Sequence, residues 1–444
     1  MSVIVIDAPC GAGKTSWAIQ EIKAHPEESY IYCTPFLDEI TRVREACGKW
    51  RIAEPENFNT TKIEDFNNLL MEGRDIAVSH TTFLNATQET LDLIQRGDYV
   101  LIIDEALDII QDFNKLNFVE SNVRQTVSEG DIDMLLDKFA RIVPPYNRVE
   151  WIERDYTGDK FAEIRRLAQM GRLYCVRSQM MVCIFPPEMF RLFKKVYSMT
   201  YLFGGSLMKP YFEMFGIDYE VDSICKKEDG TYTICEHESI ADIRFREKCG
   251  KLINHYWPDR KMPEYKGFAL SKGWYGRASK KPDEVRKLRN KISHFVRKVA
   301  GAKASDGVVM WTCPSEYEDR FKGQGYTRAR EMTADEKKLS KNEKEKLSKT
   351  LSCFVPSNAR ATNDYRKRWA LAYCCNMYMN TMLRGFFEDF QGDNKITFDD
   401  DLFAISCLVQ WVFRSRIRDG ESIHLYIPSQ RMAGLFDQWV NNKI

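Results

Sequence analysis

Residues 8–15 read Ala-Pro-Cys-Gly-Ala-Gly-Lys-Thr and follow the apolar run Val3-Ile4-Val5-Ile6. Each residue type in this octet has a use around a phosphate. Gly11 and Gly13 let the backbone turn tightly and aim N–H groups at phosphate oxygens, and Lys14 brings a cation for the β- and γ-phosphates. Thr15 brings a hydroxyl for Mg²⁺ at a helix N-terminus that already favours anions. Pro9, Cys10, Gly11, Ala12 and Gly13 would form the cradle, and Lys14, Thr15 and Ser16 the first helical turn behind it. The full pattern has Gly where this chain has Ala8. A Gly-rich turn with an accidental Lys-Thr pair is the alternative, and the strand before and helix after weigh against it.

A second group lies about ninety residues on. Tyr99–Ile103 is a buried-type strand that ends in Asp104-Glu105-Ala106. Asp104 at a strand end beside the loop can hold Mg²⁺, directly or through water, and Glu105 can orient or deprotonate an attacking water. Alone, the pair reads equally well as surface carboxylates after a strand.

The elements that must position these groups alternate along the first hundred residues. Strands are expected at Val3–Ile6, Tyr30–Thr34, Ile76–Ser79 and Tyr99–Ile103, with helices at about Thr15–Ala24 and from Pro35 to about Cys47. Strands spaced by helices predict a parallel, doubly wound α/β sheet whose ligands gather at the carboxyl ends. The phosphate loop, Thr34-Pro35, Ser79-His80-Thr81-Thr82 and Asp104-Glu105 all fall at such ends. Residues 113–195, with helical stretches at Asp131–Arg141 and Ala162–Met170, read as an insertion before a strand and turn at Met199–Ser206. A second alternating unit begins near Val308–Trp311, is interrupted by the Lys/Glu-rich stretch Asp335–Lys349, and runs through helical stretches at Trp369–Met382 and Asp401–Phe413 to a strand at His424–Pro428. From Arg260 to Lys298 thirteen Lys/Arg stand against three Asp/Glu, with Trp274, Tyr275 and Phe295 among them. That pattern suits a nucleic-acid backbone with stacked bases. It equally suits a solvated basic helix over Glu284–Val299 whose buried face is Val285, Leu288, Ile292 and Phe295.

Composition sets the bounds. A chain of 444 residues that is 44% hydrophobic has room for two or three domains. A net charge of +1 rules out a global field, so a basic surface must be local. Thirteen scattered cysteines without a CxxC pair predict reduced thiols rather than disulfides or a zinc module, and hence a cytoplasmic protein. No apolar run is long enough to span a bilayer, so no membrane partner is expected.

Taken together, these motifs resemble the superfamily 2 helicase core of DEAD/DEAH type, in particular helicase-like ATPases of tailed-bacteriophage replication modules. The octet resembles the first motif, Cys33-Thr34-Pro35 and Ser79-His80-Thr81-Thr82 resemble motifs that touch the tracking strand, and Asp104-Glu105-Ala106-Leu107 resembles the DEAD/DEAH box. Thr200–Ser206 sits where the coupling motif is expected. In the second half Met310-Trp311-Thr312, Arg360-Ala361-Thr362-Asn363-Asp364 and Gln410 to Arg418 resemble the fourth, fifth and sixth motifs. The sixth departs from Gln-x-x-Gly-Arg-x-x-Arg, with Phe413 for the Gly and Ile417 for the second Arg. Arg414, Arg416 and Arg418 all stay open as the arginine that meets the terminal phosphate.

The resemblance implies two RecA-like parallel-sheet domains. The expected layout is 1–215 with the insertion, a connecting region 216–281, and 282–444. It further implies ATP with Mg²⁺ and a catalytic set of Lys14, Glu105, Gln410 and the three arginines, with the metal at Thr15 and Asp104. Single-stranded nucleic acid, DNA rather than RNA, would be contacted by Thr34, Pro35, His80, Thr81, Thr82, Ser206, Trp311, Thr312, Arg360, Thr362 and Asn363. The implied activity is an ATP-driven helicase or translocase of phage DNA replication, in the host cytoplasm, with replication-complex proteins as further partners. The alternative is an ATP-gated clamp or loader that does not unwind.

Overall fold

In the first unit of the chain, strands form wherever short apolar runs are bounded by turn or capping residues. They are β1 (Val3–Asp7), β2 (Tyr30–Thr34), β3 (Ile52–Ala53), β4 (Asp75–Ser79), β5 (Val100–Asp104), β6 (Ile110–Asp112), β7 (Ala140–Val143), β8 (Arg148–Trp151), β9 (Leu173–Val176), β10 (Met180–Ile184), β11 (Lys195–Thr200), β12 (Tyr219–Lys226) and β13 (Tyr232–Glu236). The computed structural model describes residues 2–57, 60–116, 126–237, 240–256, 265–357, 365–390 and 396–444. Eight strands make one sheet in the order β13-β12-β1-β11-β5-β2-β4-β3, parallel except for the antiparallel edge strand β13. Alternate residues serve opposite faces. Leu101 and Ile103 join one apolar cluster with Val3, Val5 and Ile31, whereas Val100 and Ile102 join another with Ile6, Tyr30 and Tyr32. Both faces are therefore covered, the arrangement that a parallel sheet requires. Each fully buried aliphatic side chain contributes about 1.5–3 kcal/mol.

The insertion carries a sheet of its own. Strands β6 to β10 pair antiparallel in the order β6-β10-β9-β8-β7, with the helices Glu129–Lys138 and Ala162–Gln169. The helix expected over Asp131–Arg141 ends at Lys138, and Ala140–Val143 is strand.

The second unit has a four-stranded parallel sheet in the order β14-β17-β16-β15, built from β14 (Ile253–Tyr256), β15 (Val309–Thr312), β16 (Ala370–Tyr373) and β17 (Ile423–Tyr426). The two units comprise Met1–Ala8, Ala12–His237 and Met379–Asp399, and Pro9–Gly11, Glu238–Tyr378 and Asp400–Ile444. This layout corrects two expectations. Residues 216–281 do not form a separate connecting region: Tyr219–Glu236 complete the first sheet, and Ile253–Tyr256 is the edge strand of the second. The helix expected over Trp369–Met382 is instead β16, a loop, and a helix at Thr381–Glu388. Ala370–Cys375 is apolar without a 3.6-residue period, and such a run does not distinguish a buried strand from a buried helix. That helix belongs to the first unit, where Phe386 and Phe387 join its core and Arg177 makes a two-pronged ion pair with Asp389 (2.6 and 2.7 Å).

The thiol expectation also needs correction, because Cys225 and Cys235 are joined across the β12–β13 hairpin. Antiparallel pairing sets Cys225 opposite Thr233 and Cys235 opposite Ser223, so the hairpin register brings the two sulfurs together on one face. The basic helix runs Pro282–His294, and its expected face (Val285, Leu288, Ile292, Phe295) is buried. Among the described residues no helix is long and apolar enough to cross a membrane.

Candidate nucleotide site

Strand register aligns the carboxyl ends where the site forms. Asp7 on β1 pairs with Thr200 on β11, Met199 with Asp104 on β5, Cys33 on β2 with Ile103, and Thr34 with Ser79 on β4. The loop after β1 turns through Gly11 (φ +85°) and Gly13 (φ +103°), and the helix Lys14–Ala24 starts at once. Both φ values lie in the region that favours glycine. At position 13 a second constraint acts. A Cβ there would sit 2.1 Å from a ring carbon of Tyr232, so any other residue would have to displace that ring. Lys14 is buried, and its ammonium donates to the carbonyl of Ala8 (2.5 Å) inside the loop's own curve. Ser16 Oγ accepts from Arg42 (3.5 Å).

Asp104 is buried at the end of β5, and its Oδ2 accepts the Tyr32 hydroxyl (2.8 Å). The Thr15 hydroxyl is in hydrogen-bonding reach of the same Tyr32. Burial, and then the charge of Glu105, push the Asp104 carboxyl up to about 7, against the Tyr32 hydrogen bond and the charge of Lys14. The folded chain therefore holds this proton more tightly than the unfolded chain. The group's contribution to stability is complete below about pH 4 and is lost as pH rises through about 7. At pH about 8, Asp104→Asn should raise the unfolding free energy of the ligand-free protein by on the order of a few kcal/mol, and its melting midpoint with it. The gain should vanish toward pH about 4; thermal melts across that range are the check, and a destabilised Asn variant at pH about 8 would contradict this account.

Glu105 follows in a left-handed conformation (φ +66°), with its N–H bonded to Met199 O (2.9 Å). A β-region strand end with a non-glycine residue at positive φ costs on the order of 1–3 kcal/mol. This turns the Glu105 side chain away from the strand's alternation.

Two residues near the loop act differently from the sequence reading, or were missed by it. His80, expected to touch nucleic acid, is buried, and its Nε2 lies 3.0 Å from the backbone oxygen of Asp104, tying the end of β4 to that of β5. Asp7 carried no expectation. Its two oxygens accept the N–H groups of Leu202 (2.7 Å) and Phe203 (2.9 Å), and His237 lies 3.4 Å away. Leu202 is held at φ +58° by this clasp, which joins the end of β1, where the glycine-turned loop begins, to the turn after β11. A charged residue closing an otherwise apolar strand was the available signal.

The other expected residues divide. Thr34 is fully buried, and its hydroxyl accepts the Phe36 N–H (3.4 Å), whereas Pro35 is partly exposed. Thr81 is exposed, and Thr82 is buried against Ser79, which caps the short helix His80–Leu84. Ser206 has its hydroxyl buried with no hydrogen-bond partner among the described residues.

In the second unit, Trp311 and Thr312 cannot contact a strand and are corrected. Both are fully buried in β15, and Trp311 packs edge-on against Tyr326 and Phe354. Parallel strands are buried on both faces, so a polar residue within one is no guide to the surface. Arg360, Thr362 and Asn363 lie outside the described residues. Gln410 is on the helix Asp400–Val412, and its amide donates to Ser406 Oγ (3.5 Å). Arg414 is buried, and its charge acts on Tyr373 and Cys407. Arg416 donates to Ser422 O (2.6 Å), lies 3.7 Å from Glu421 and covers the Trp369 ring at 5.3 Å. Arg418 is exposed.

These residues fit a Mg²⁺–triphosphate. The loop turns through Gly11 and Gly13 at positive φ, and the desolvated Asp104 carboxyl, pushed up to about 7, is a group that a cation would stabilise in charged form. Thr15 and Asp104 would hold the metal.

Comparison with known proteins places the chain as follows. Residues 247–440 match the family model described as "YonV C-terminal Rossmann-like domain". Over 447 aligned residues the chain is 28% identical to "SPbeta prophage-derived uncharacterized protein YonV" of Bacillus subtilis (strain 168), with 99% of each chain covered. A solved structure described as "XPD_APO" superposes with a TM-score of 0.53 at 11% identity, covering 99% of this chain and 95% of that one. Another, "Structure of S. tokodaii Xpd4", gives a TM-score of 0.46 at 13% identity over 98% and 94%. The first of these structures establishes the likeness of fold: α/β with parallel sheets in two domains, the second of them Rossmann-like.

Proposed function

We propose that the first unit binds and hydrolyses ATP and that the chain couples this to movement on single-stranded nucleic acid, as a helicase or translocase. The observation that carries the reading is the alignment of loop and carboxylates. Lys14 lies in a glycine-turned loop, and Asp104-Glu105 ends the strand two positions away in the sheet, with β11 between. Mg²⁺ held by Thr15 and Asp104 would offset charge on the β- and γ-phosphate oxygens. The chain's own groups do the rest. Loop N–H groups orient the triphosphate, Lys14 counters charge as it builds, and Glu105 takes the proton of the attacking water. Arg414, Arg416 and Arg418 all stay candidates for the arginine that meets the terminal phosphate, and Arg416 would first have to leave Ser422, Glu421 and Trp369. The prophage origin of the Bacillus subtilis relative supports a phage setting, within which we place the activity in DNA replication.

The test is phosphate release from ATP with and without single-stranded DNA. Turnover should rise about tenfold or more with the strand, since closure on a second ligand completes such sites. Turnover that DNA and RNA both leave unchanged would remove the coupling.

A further inference from the structure

We propose that the second unit carries a stacking platform for unpaired nucleobases, formed by Phe268 backed by Tyr378 and Arg431. The proposal rests on the nucleic-acid reading above and names a contact that the sequence motifs do not contain.

Phe268 is 71% exposed, an unfavourable place for so large an apolar ring. Its neighbourhood holds it there. The Phe268 ring lies 5.4 Å from that of Tyr378, and the Arg431 guanidinium covers Tyr378 at 4.3 Å. The backbone beneath is pinned by Asn376, which is buried. Its side-chain amide donates to Gly267 O (2.8 Å) and Ala269 O (3.0 Å), and its N–H donates to Leu270 O (2.9 Å). Arg431 donates to Asn376 Oδ1 (3.2 Å), to Met377 O (2.7 Å) and to Asp401 Oδ1 (2.6 and 3.0 Å). Leu270 is fully buried at φ +64°, so the turn that presents Phe268 is fixed by packing against its backbone preference. A preordered ring offers contact area with little ordering cost on binding.

Position and charge choose the occupant. Tyr265 bridges to Ser429, just beyond β17, and Asn376 lies just beyond β16, so the platform stands at the carboxyl edge of its sheet, where ligands of parallel α/β sheets bind. Trp50 is still more exposed, at 95%, but precedes β3 on the amino side of its sheet. Between Tyr265 and Lys298 eleven Lys/Arg stand against Asp283 and Glu284. Lys266, Arg277, Lys280, Lys281 and Lys287 are exposed, and Lys291 on the basic helix reaches back over the Tyr265 ring (5.0 Å). An exposed ring on a guanidinium-backed aromatic beside a cationic helix matches a polyanion that also offers flat apolar faces, which is a single strand with unstacked bases.

The experiment is fluorescence anisotropy of the full chain with labelled oligo(dT) of roughly 20 nucleotides, longer than one site of this kind, at one fixed salt concentration. Phe268→Ala should bind about tenfold more weakly, and Phe268→Trp should bind at least as tightly as the native chain. Both should keep the native unfolding midpoint and the native ATPase rate without DNA. Equal affinity of Phe268→Ala and native chain, or weakened binding by Phe268→Trp, overturns the platform while leaving the helicase reading intact. Failure of the native chain to bind oligo(dT) at all overturns both.

Discussion

Lys14→Ala should lower kcat/KM for ATP hydrolysis by ~100-fold or more. The lysine is placed to do this by its own loop. Its ammonium is buried and bonded to Ala8 O, so it is held beside the turn made by the positive φ of Gly11 and Gly13, whose backbone N–H groups are the proposed phosphate donors. A triphosphate brought to those groups meets a cation that is already desolvated, and a desolvated charge acts more strongly than one in water. Alanine leaves the turn's backbone and the Tyr232 contact over Gly13 unchanged, so the loss is read at the phosphates. Titration with a fluorescent ATP analogue beside a phosphate-release assay is the check. An Ala variant that hydrolyses ATP at near-native rate would mean that the octet is only a turn.

Glu105→Gln separates binding from chemistry. Turnover should fall by about 10²–10⁴-fold, the usual contribution of a positioned general base. ATP affinity should stay within about twofold, because the substitution keeps side-chain length and removes only the proton acceptor. The left-handed backbone at Glu105, pinned by its N–H to Met199 O, directs the side chain independently of β5's alternation, and glutamine adopts that conformation at similar cost. Single-turnover and equilibrium binding measurements on the same preparation distinguish the outcomes. Equal loss of binding and turnover would assign Glu105 a structural part instead.

Much of the first unit is legible in the chain because local chemistry and fold agree there. Val3–Ile6 and Tyr99–Ile103 are apolar runs between turn-forming segments, and glycine at 11 and 13 has few uses other than positive φ. The antiparallel character of the insertion, and the departure of Thr381–Glu388 to the first unit, depend on contacts between distant residues such as Arg177 and Asp389. No periodicity within a short window carries that information. The disulfide has the same origin. Scattered cysteines read as thiols, and only the β12–β13 register brings Cys225 to Cys235.

The glycine-turned loop, the strand that ends in Asp104-Glu105 and the alternation that makes a parallel sheet were readable along the chain alone, since each rests on residue type within a few positions. Tertiary structure decided which polar groups are available. It buried Trp311 and Thr312 inside β15, turned His80 onto the Asp104 backbone, recruited Asp7 to clasp Leu202 and Phe203, and left Phe268 in solvent on Tyr378 and Arg431. Burial is a property of which elements pack together, and a residue's exposure follows from neighbours far away in the chain.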